Sequence, residues 1–322
     1  MKISPYSKLI IDEAKKKKIK VTRIGDGGKH FMLSRGDKHT FIDQSLTELT
    51  SDPVFKLLAN KFLTDLFLKK EGFPVPVFKL IRTVDEAWVF LKKHKKVVIK
   101  PLSANQGKGI TISIKYKNEL QPAIDFALSV TKKNRLEKAY KGAVLIEKAV
   151  PGDDHRVLVI DCKKVYVIKR IPAYVIGDGK HSIKQLIGIW NSRDVKHKKS
   201  VIIDDHLRHV LKRQGLTLRD KPKVDEQIFV RRTANLATGG ETVDVTDEIN
   251  PKIKEMAIKA AELLNISVAG FDFMCCDHRD SKGYFIEINA IPGLMMHHYP
   301  HKGEARNPAK DIVDLLIKKH LL

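Results

Sequence analysis

Two short apolar runs near the C-terminus carry oxygen-bearing side chains at fixed places, and that pattern restricts what the chain can fold into. Gly270-Phe271-Asp272-Phe273-Met274 is followed, after a polar stretch, by Phe285-Ile286-Glu287-Ile288-Asn289-Ala290-Ile291-Pro292-Gly293. Both runs have strand character. Glu287 and Asn289 are two apart, so a strand sets them on one face and turns Ile286 and Ile288 toward the core. An isolated Glu-x-Asn triplet is also what the solvated face of an edge strand looks like. Asp272 before it and Pro292-Gly293 after it favour a ligand set instead. Three oxygen donors suit a hard divalent cation, and magnesium commonly takes one or two carboxylates plus nucleotide phosphates.

The segment 97–114, with Lys100, Ser103, Asn105, Gly107, Lys108 and Gly109, reads as strand, Gly-containing turn, strand. Small residues there let backbone amides approach an anion. Lys100 ends the first strand as a point charge suited to phosphates, and Lys108 rides the loop tip. Alone, the segment is equally an ordinary hairpin with a flexible turn. No Walker sequence occurs in the chain.

Taken in order, these motifs resemble an ATP-grasp ligase, closest to the ATP-grasp module of cyanophycin synthetases and of bifunctional glutathione synthetases. Between the two segments lie Glu147-Lys148-Ala149-Val150-Pro151-Gly152 and Asp154-His155-Arg156. Gly177-Asp178-Gly179, through Ile183 to Asn191, is similar to a G-D-G-x-x-[ST]-I-x-x-L-I-x-x-x-N stretch of those proteins. Asn235 with Gly239-Gly240, and Met296-His297 with Tyr299-Pro300, match two further signatures. The likeness runs from about Lys61 to the C-terminus, and its strength lies in the ordered set.

The resemblance implies an α+β (α/β) ATP-grasp fold: two α+β subdomains closing over ATP, preceded by a short N-terminal α/β segment. The implied function is an ATP-dependent carboxylate–amine ligase, making a peptide or amide bond through an acyl phosphate with Mg-ATP, with manganese as the alternative ion. Small carboxylate and amine substrates are the implied partners. Lys61, Lys100, Ser103, Gly107, Lys108 and Gly109 would serve the nucleotide; the backbone of Glu147, Lys148 and Val150 would meet adenine, and Asp154 the ribose. Asp272, Glu287 and Asn289 would hold the ion, with Glu287 bridging. Arg156 matches the arginine of the family's D-H-R-x-x-V stretch and would face the phosphates, although as an isolated residue it could be a surface partner of Asp153 or Asp154. Arg232 is the second catalytic candidate, or else part of a solvated Arg231-Arg232 edge. Asn235, Gly239, Gly240 and His297 would line the substrate. Two departures stand out: Asn60 replaces the usual acidic residue before Lys61, and Met295 stands where cyanophycin synthetases tend to carry arginine. Glutathione-type and cyanophycin-type chemistry are not separated by these residues.

The 322 residues include 60 Lys and Arg against 38 Asp and Glu, a net charge of +22 that invites a nucleic-acid reading. The lysines lie in scattered runs such as Lys15-Lys16-Lys17-Lys18 and Lys196-His197-Lys198-Lys199, with few aromatics beside them and no recognisable DNA or RNA module. Weak, salt-sensitive contact with polyanions is expected, not base readout. A basic ATP-binding or polyanion-binding module without turnover remains the rival class at this point. His297, His298 and His301 lack the helical spacing of a zinc protease. No apolar run approaches the length of about 20 residues that spans a bilayer, and no signal peptide is evident. Cys162, Cys275 and Cys276 have no metal or redox spacing, which fits reduced thiols in a cytoplasmic protein. Homo-oligomer formation is left open.

Three regions are expected: an N-terminal substrate-side segment 1–58, and an ATP-grasp domain 59–322 that divides into a nucleotide-closing part near 77–150 and a catalytic, metal-bearing part near 151–322. A variable excursion, 173–240, interrupts the last, and its charged portion from Arg193 to Glu226 reads as irregular. Phe31–Leu33 and Thr40–Ile42 flank a hairpin turn, and one helix is expected from Pro53 through Lys70.

Overall fold

In a computed structural model, residues 3–104, 107–130, 140–193, 199–232, 234 and 238–322 are described. The chain opens with α1 (Pro5–Lys16), followed by β1 (Lys20–Arg23), β2 (His30–Arg35), β3 (Lys38–Asp43) and β4 (Leu46–Thr47) in one antiparallel sheet. The hairpin signal is realised as β2 and β3 around Gly36-Asp37, where Gly36 has φ +60°, a conformation that glycine adopts without steric cost.

The expected single helix through Lys70 is two: α2 (Asp52–Leu58) and α3 (Lys61–Lys70). Asn60 is the reason. Its backbone is extended and its side-chain oxygen accepts from the amides of Phe62 and Leu63, which caps a new helix instead of continuing the old one.

A second antiparallel sheet, in the order β5-β8-β6-β7, is built from β5 (Phe78–Ile81), β6 (Val97–Lys100), β7 (Thr111–Ile114) and β8 (Val144–Lys148). α4 (Val84–His94) and α5 (Leu120–Ser129) cover one face through Ile81, Phe90, Leu91, Ile99, Ile124 and Ile146. The start of α4 is set by a capping box in which Thr83 and Glu86 satisfy each other's amides.

The largest sheet has the order β13-β10-β9-β14-β15, with β9 (Asp153–Ile160) and β10 (Lys164–Ile171) at its centre. Before the chain returns to it, β11 (Tyr174–Ile176), α6 (Ile183–Ser192), α7 (Asp205–Lys212) and β12 (Gln227–Phe229) form a lobe with its own core around Val175, Ile187, Trp190, Leu207 and Ile228. The supposedly irregular stretch thus contains α7. Its charges hide an apolar stripe of Leu207, Val210 and Leu211, spaced to share one helix face.

β13 (Glu241–Asp244), α8 (Pro251–Leu263), β14 (Val268–Cys275), β15 (Tyr284–Asn289), α9 (Met295–His298) and α10 (Pro308–Lys318) complete the chain. Alternation along β14 divides the sheet's two faces. Ala269, Phe271, Phe273 and Cys275 pack with residues of α8 in one core, while Val268, with Leu158 and Ile160 of β9, joins α1 and α10 in another. Asp272 faces away from the Phe side.

One correction bears on β15. Phe285 and Ile288 enter the core, and Ile286 is only half-buried. The register slips between Asp272 and Phe273 opposite it, so a bulge changes the alternation that the simple period of two implies. Phe285 is fully buried, with its ring centroid 5.8 Å from Phe73, 5.8 Å from Phe271 and 5.1 Å from Phe273. Replacing it with alanine removes the centre of that cluster. Phe285→Ala is expected to cost about 3–5 kcal/mol, read as a lowered midpoint in chemical denaturation, whereas a surface substitution such as Val89→Ala should leave the midpoint within about 0.5 kcal/mol of the parent.

Candidate active site

Cross-strand pairing brings the chemistry-bearing residues into one row. Arg156 on β9 lies opposite Asp272 on β14, and Asp272 lies opposite Glu287 on β15. Arg156 Nε donates to Asp272 Oδ1 at 2.6 Å. Arg170, from β10, donates through Nη2 to Asp154 Oδ1 at 2.5 Å and is 2.9 Å from Asp272 Oδ2. Burial pushes the Asp272 carboxyl up, but the charges of Arg156 and Arg170 outweigh it and hold the group at about 2. Arg156 is therefore not a surface partner of Asp153.

A second set of charges joins this row to the β5–β8 sheet. Lys61, the first residue of α3, reaches Glu287 Oε1 at 2.7 Å and the carbonyl of Ala104 at 3.0 Å. Lys100 pairs with Glu147 at 2.6 Å, both nearly fully buried. Burial alone would lower the Lys100 ammonium, yet Glu147 and Asp65 raise it above its ordinary value. Asp65 itself is 2% exposed, one turn after Lys61 on α3, and its Oδ2 has no hydrogen-bond partner among the described residues. Burial, and then the negative charge of Glu147, push its carboxyl up to about 8.

Glu147, Lys148 and Val150 lie where β8 passes into β9. Lys148 N donates to Val77 O at 2.8 Å and Ala149 N to Lys96 O at 2.9 Å, which fixes the segment's backbone. Gly152 closes the passage with φ +116°, and a Cβ there would stand 2.4 Å from the carbonyl carbon of Cys275. In the loop after β6, Ser103 is buried, Lys108 is exposed, and Gly107 and Gly109 have φ +72° and +75°. A Cβ on Gly109 would meet Val130 at 2.2 Å. Asn105, of the same loop, lies outside the described residues.

The residues near the end of β15 carry unmet polar groups. Asn289 Nδ2 is buried without a partner among the described residues, as are both ring nitrogens of His297. Burial, reinforced by the charge of Arg156, holds the His297 imidazole well below its ordinary value, so it is neutral. Its neighbours are tied down: His298 Nε2 accepts from Ala309 N at 3.3 Å, and His301 Nδ1 from Thr242 N at 3.1 Å. Among the described residues no three His, Cys, Asp or Glu side chains form a metal cluster on their own. Two carboxylates with an amide, all offering oxygen, are a donor set that fits magnesium or manganese and not zinc. Asp272, Glu287 and Asn289 are the residues that could hold such an ion.

The remaining candidates fall elsewhere. Arg232 is half-buried, and the charges acting on it are those of Arg213 and Glu119. Arg213 pairs with Glu119 at 3.2 Å and donates to Ser113 O at 3.0 Å, so this is the seam between the 173–231 lobe and the β5–β8 sheet. Arg231 is no solvated edge: it is buried, with Asp204 Oδ1 at 2.7 Å and the carbonyl of Ile202 at 2.7 Å. Gly239, at φ +92°, packs so closely on the same lobe that a Cβ would stand 2.5 Å from Val201, and Gly240 is buried beside it. Asn235 lies outside the described residues.

Two residues escaped the sequence reading. Arg170 sits at the end of a strand whose alternate members, Tyr166 and Ile168, share its face; a lone arginine closing such a face just before Pro172 was the available signal. Asp65 follows Lys61 by four residues, the helical spacing for a shared face.

The chain is similar to known proteins along most of its length. A family model described as prokaryotic glutathione synthetase, ATP-grasp domain, matches residues 70–220, and one described as RimK-like ATP-grasp domain matches 230–315. A cyanophycin synthetase of Trichormus variabilis is 33% identical over 98% of this chain and 35% of its own length. The glutathione biosynthesis bifunctional protein GshAB of Enterococcus faecalis is 30% identical over 96% of the chain and 42% of its own length. The chain thus spans about a third to two fifths of the curated relatives it matches. Among solved structures, a bifunctional glutathione synthetase from Pasteurella multocida superposes with TM-score 0.70 and 25% identity, covering 98% of this chain and 44% of that one.

Asp65 gives a pH test of the site's electrostatics. Its carboxyl is raised from 3.8 in the unfolded chain to about 8 in the fold, so the folded state binds the extra proton between those values and loses stability as pH rises through them. Asp65→Asn, neutral at every pH, does not carry that penalty. The variant should match the parent near pH 4 and exceed it by at least about 1 kcal/mol at pH 8, measured by denaturant unfolding. A difference that is constant with pH would contradict the assignment.

Proposed function

The chain belongs to the ATP-grasp family, and from that premise we propose that it is an ATP-dependent carboxylate–amine ligase acting on an amino acid or small peptide. The observation that carries the proposal is the contact between Lys61 and Glu287, 2.7 Å apart in space and 226 residues apart in sequence, which joins the nucleotide-side residues to the row Arg156–Asp272–Glu287.

A carboxylate and an amine do not condense in neutral water, so the carboxylate first needs a leaving group. One of its oxygens attacks the γ-phosphorus of ATP, the bond to the β-phosphate oxygen breaks, and ADP departs. The amine then attacks the acyl carbon, loses a proton, and phosphate leaves as the amide forms. Catalysis of such transfers is largely positioning and electrostatics. The chain's residues divide that work. Lys100 and the Gly107–Gly109 loop serve the phosphates, the backbone from Glu147 to Val150 serves adenine, and Asp154 serves the ribose. A magnesium ion held by Asp272, Glu287 and Asn289 would neutralise charge between the β- and γ-phosphates. Arg156 is aimed at the charge that develops on the transferred group, and buried, neutral His297 borders the acceptor side. Either a glutathione-type or a cyanophycin-type product is compatible with this division.

The test is a screen of amino acids and dipeptides for those that stimulate ADP release, with hydroxylamine replacing the amine. Acids that stimulate release should be trapped as hydroxamates. Arg156→Ala should bind ATP nearly as the parent does while turnover falls about a hundredfold or more, and Glu287→Gln should abolish turnover. Stimulating acids that never give a hydroxamate would remove the acyl phosphate from the proposal.

A further inference from the structure

Both oxygens of Asp272 are already engaged by cations belonging to the chain: Oδ1 by Arg156 Nε at 2.6 Å and Oδ2 by Arg170 Nη2 at 2.9 Å. Arg170 also holds Asp154 at 2.5 Å and so ties β9 to β14. The four side chains sum to zero charge, two guanidiniums against two carboxylates. The adjoining Lys61–Glu287 pair is neutral as well. Water is scarce at the Arg170–Asp272 contact, where the side chains are 12% and 13% exposed, against 28% for Asp154 and 25% for Glu287.

We propose that Arg170 is an internal counter-cation for Asp272, which keeps divalent ions off this face until a triphosphate arrives with them. The inference rests on the reading of Asp272 as an ion ligand. A divalent ion added to the neutral cluster leaves a net charge of +2 in a poorly solvated place, and the guanidinium beside Asp272 Oδ2 repels it directly. An ion that enters with a triphosphate brings the compensating negative charge, and a released guanidinium finds phosphate oxygens to pair with. Arg170, not Arg156, carries this role because it spans both carboxylates. Its Nε is also buried without a partner among the described residues, so the side chain is held at the site by its terminal nitrogens.

Manganese is a probe that needs no turnover: free Mn2+ is read by electron paramagnetic resonance as it is titrated into the protein, without nucleotide and then with a non-hydrolysable ATP analogue. The parent chain should bind Mn2+ without nucleotide no tighter than about a millimolar. Arg170→Met should bind it about tenfold tighter or more, and Arg170→Lys, which keeps the charge, should behave as the parent. Tight binding by the nucleotide-free parent overturns the proposal, and that measurement needs no variant. Arg170→Met with unchanged Mn2+ affinity overturns it too. Asp272→Asn separates the two layers: if it takes up the manganese complex of the analogue as tightly as the parent, the reading of Asp272 as a ligand has failed and not merely the role of Arg170.

Discussion

Charge buried on one face of an otherwise apolar sheet is the constraint that organises this molecule. β14 presents Phe271 and Phe273 to one side and Asp272 to the other. Removing an ionised group from water costs several kcal/mol even after relaxation, so such a group persists only with a partner and further hydrogen bonds. Arg156 and Arg170 meet that demand for Asp272, Lys61 for Glu287, and Lys100 for Glu147. The partners of Asp272 and Glu287 come from different elements, so satisfying those charges draws α3, β9 and β10 to the same place, while Lys100 and Glu147 pair within the β5–β8 sheet. Apolar cores flank the sheet on either side of this charged row.

The same demand places the seams between lobes. Lys61 and Lys100 stand where the β5–β8 sheet meets the larger one, with Asp65 between them, and the positive φ of Gly152 lets the chain pass from β8 to β9 against the backbone of Cys275. The lobe spanning 173–231 is attached in another way, through Arg213 and its contacts with Glu119 and Ser113. Arg232 belongs to that attachment, so its electrostatic surroundings differ from those of Arg156.

Much of this was legible in the residues, because the informative signals are local. The shared face of Glu287 and Asn289 and the β2–β3 hairpin each follow from a few neighbours in sequence. What was missed is nonlocal or hidden by composition. A bulge in β15, at Ile286, exchanged that residue for Phe285 in the core, and no period of two announces a bulge. Asn60 split one helix into two by a side-chain bond that competes with the helical ladder. The charges around Leu207, Val210 and Leu211 disguised a helix. Arg170 and Asp65 were overlooked because a lone charge acquires meaning only from the partners that folding brings to it.

The claim at the centre of this account is that the polar end of the sheet activates a carboxylate by phosphorylating it. Oxygen transfer reads that step directly: an acid that stimulates ADP release is supplied with both carboxyl oxygens as oxygen-18, and the phosphate released in the presence of amine is examined by mass spectrometry. An acyl phosphate requires one labelled oxygen to move into each phosphate as the amide forms. Phosphate that carries no label while labelled amide accumulates would show that the carboxylate is never phosphorylated, and the roles assigned to Arg156, Asp272 and Glu287 would fall with it.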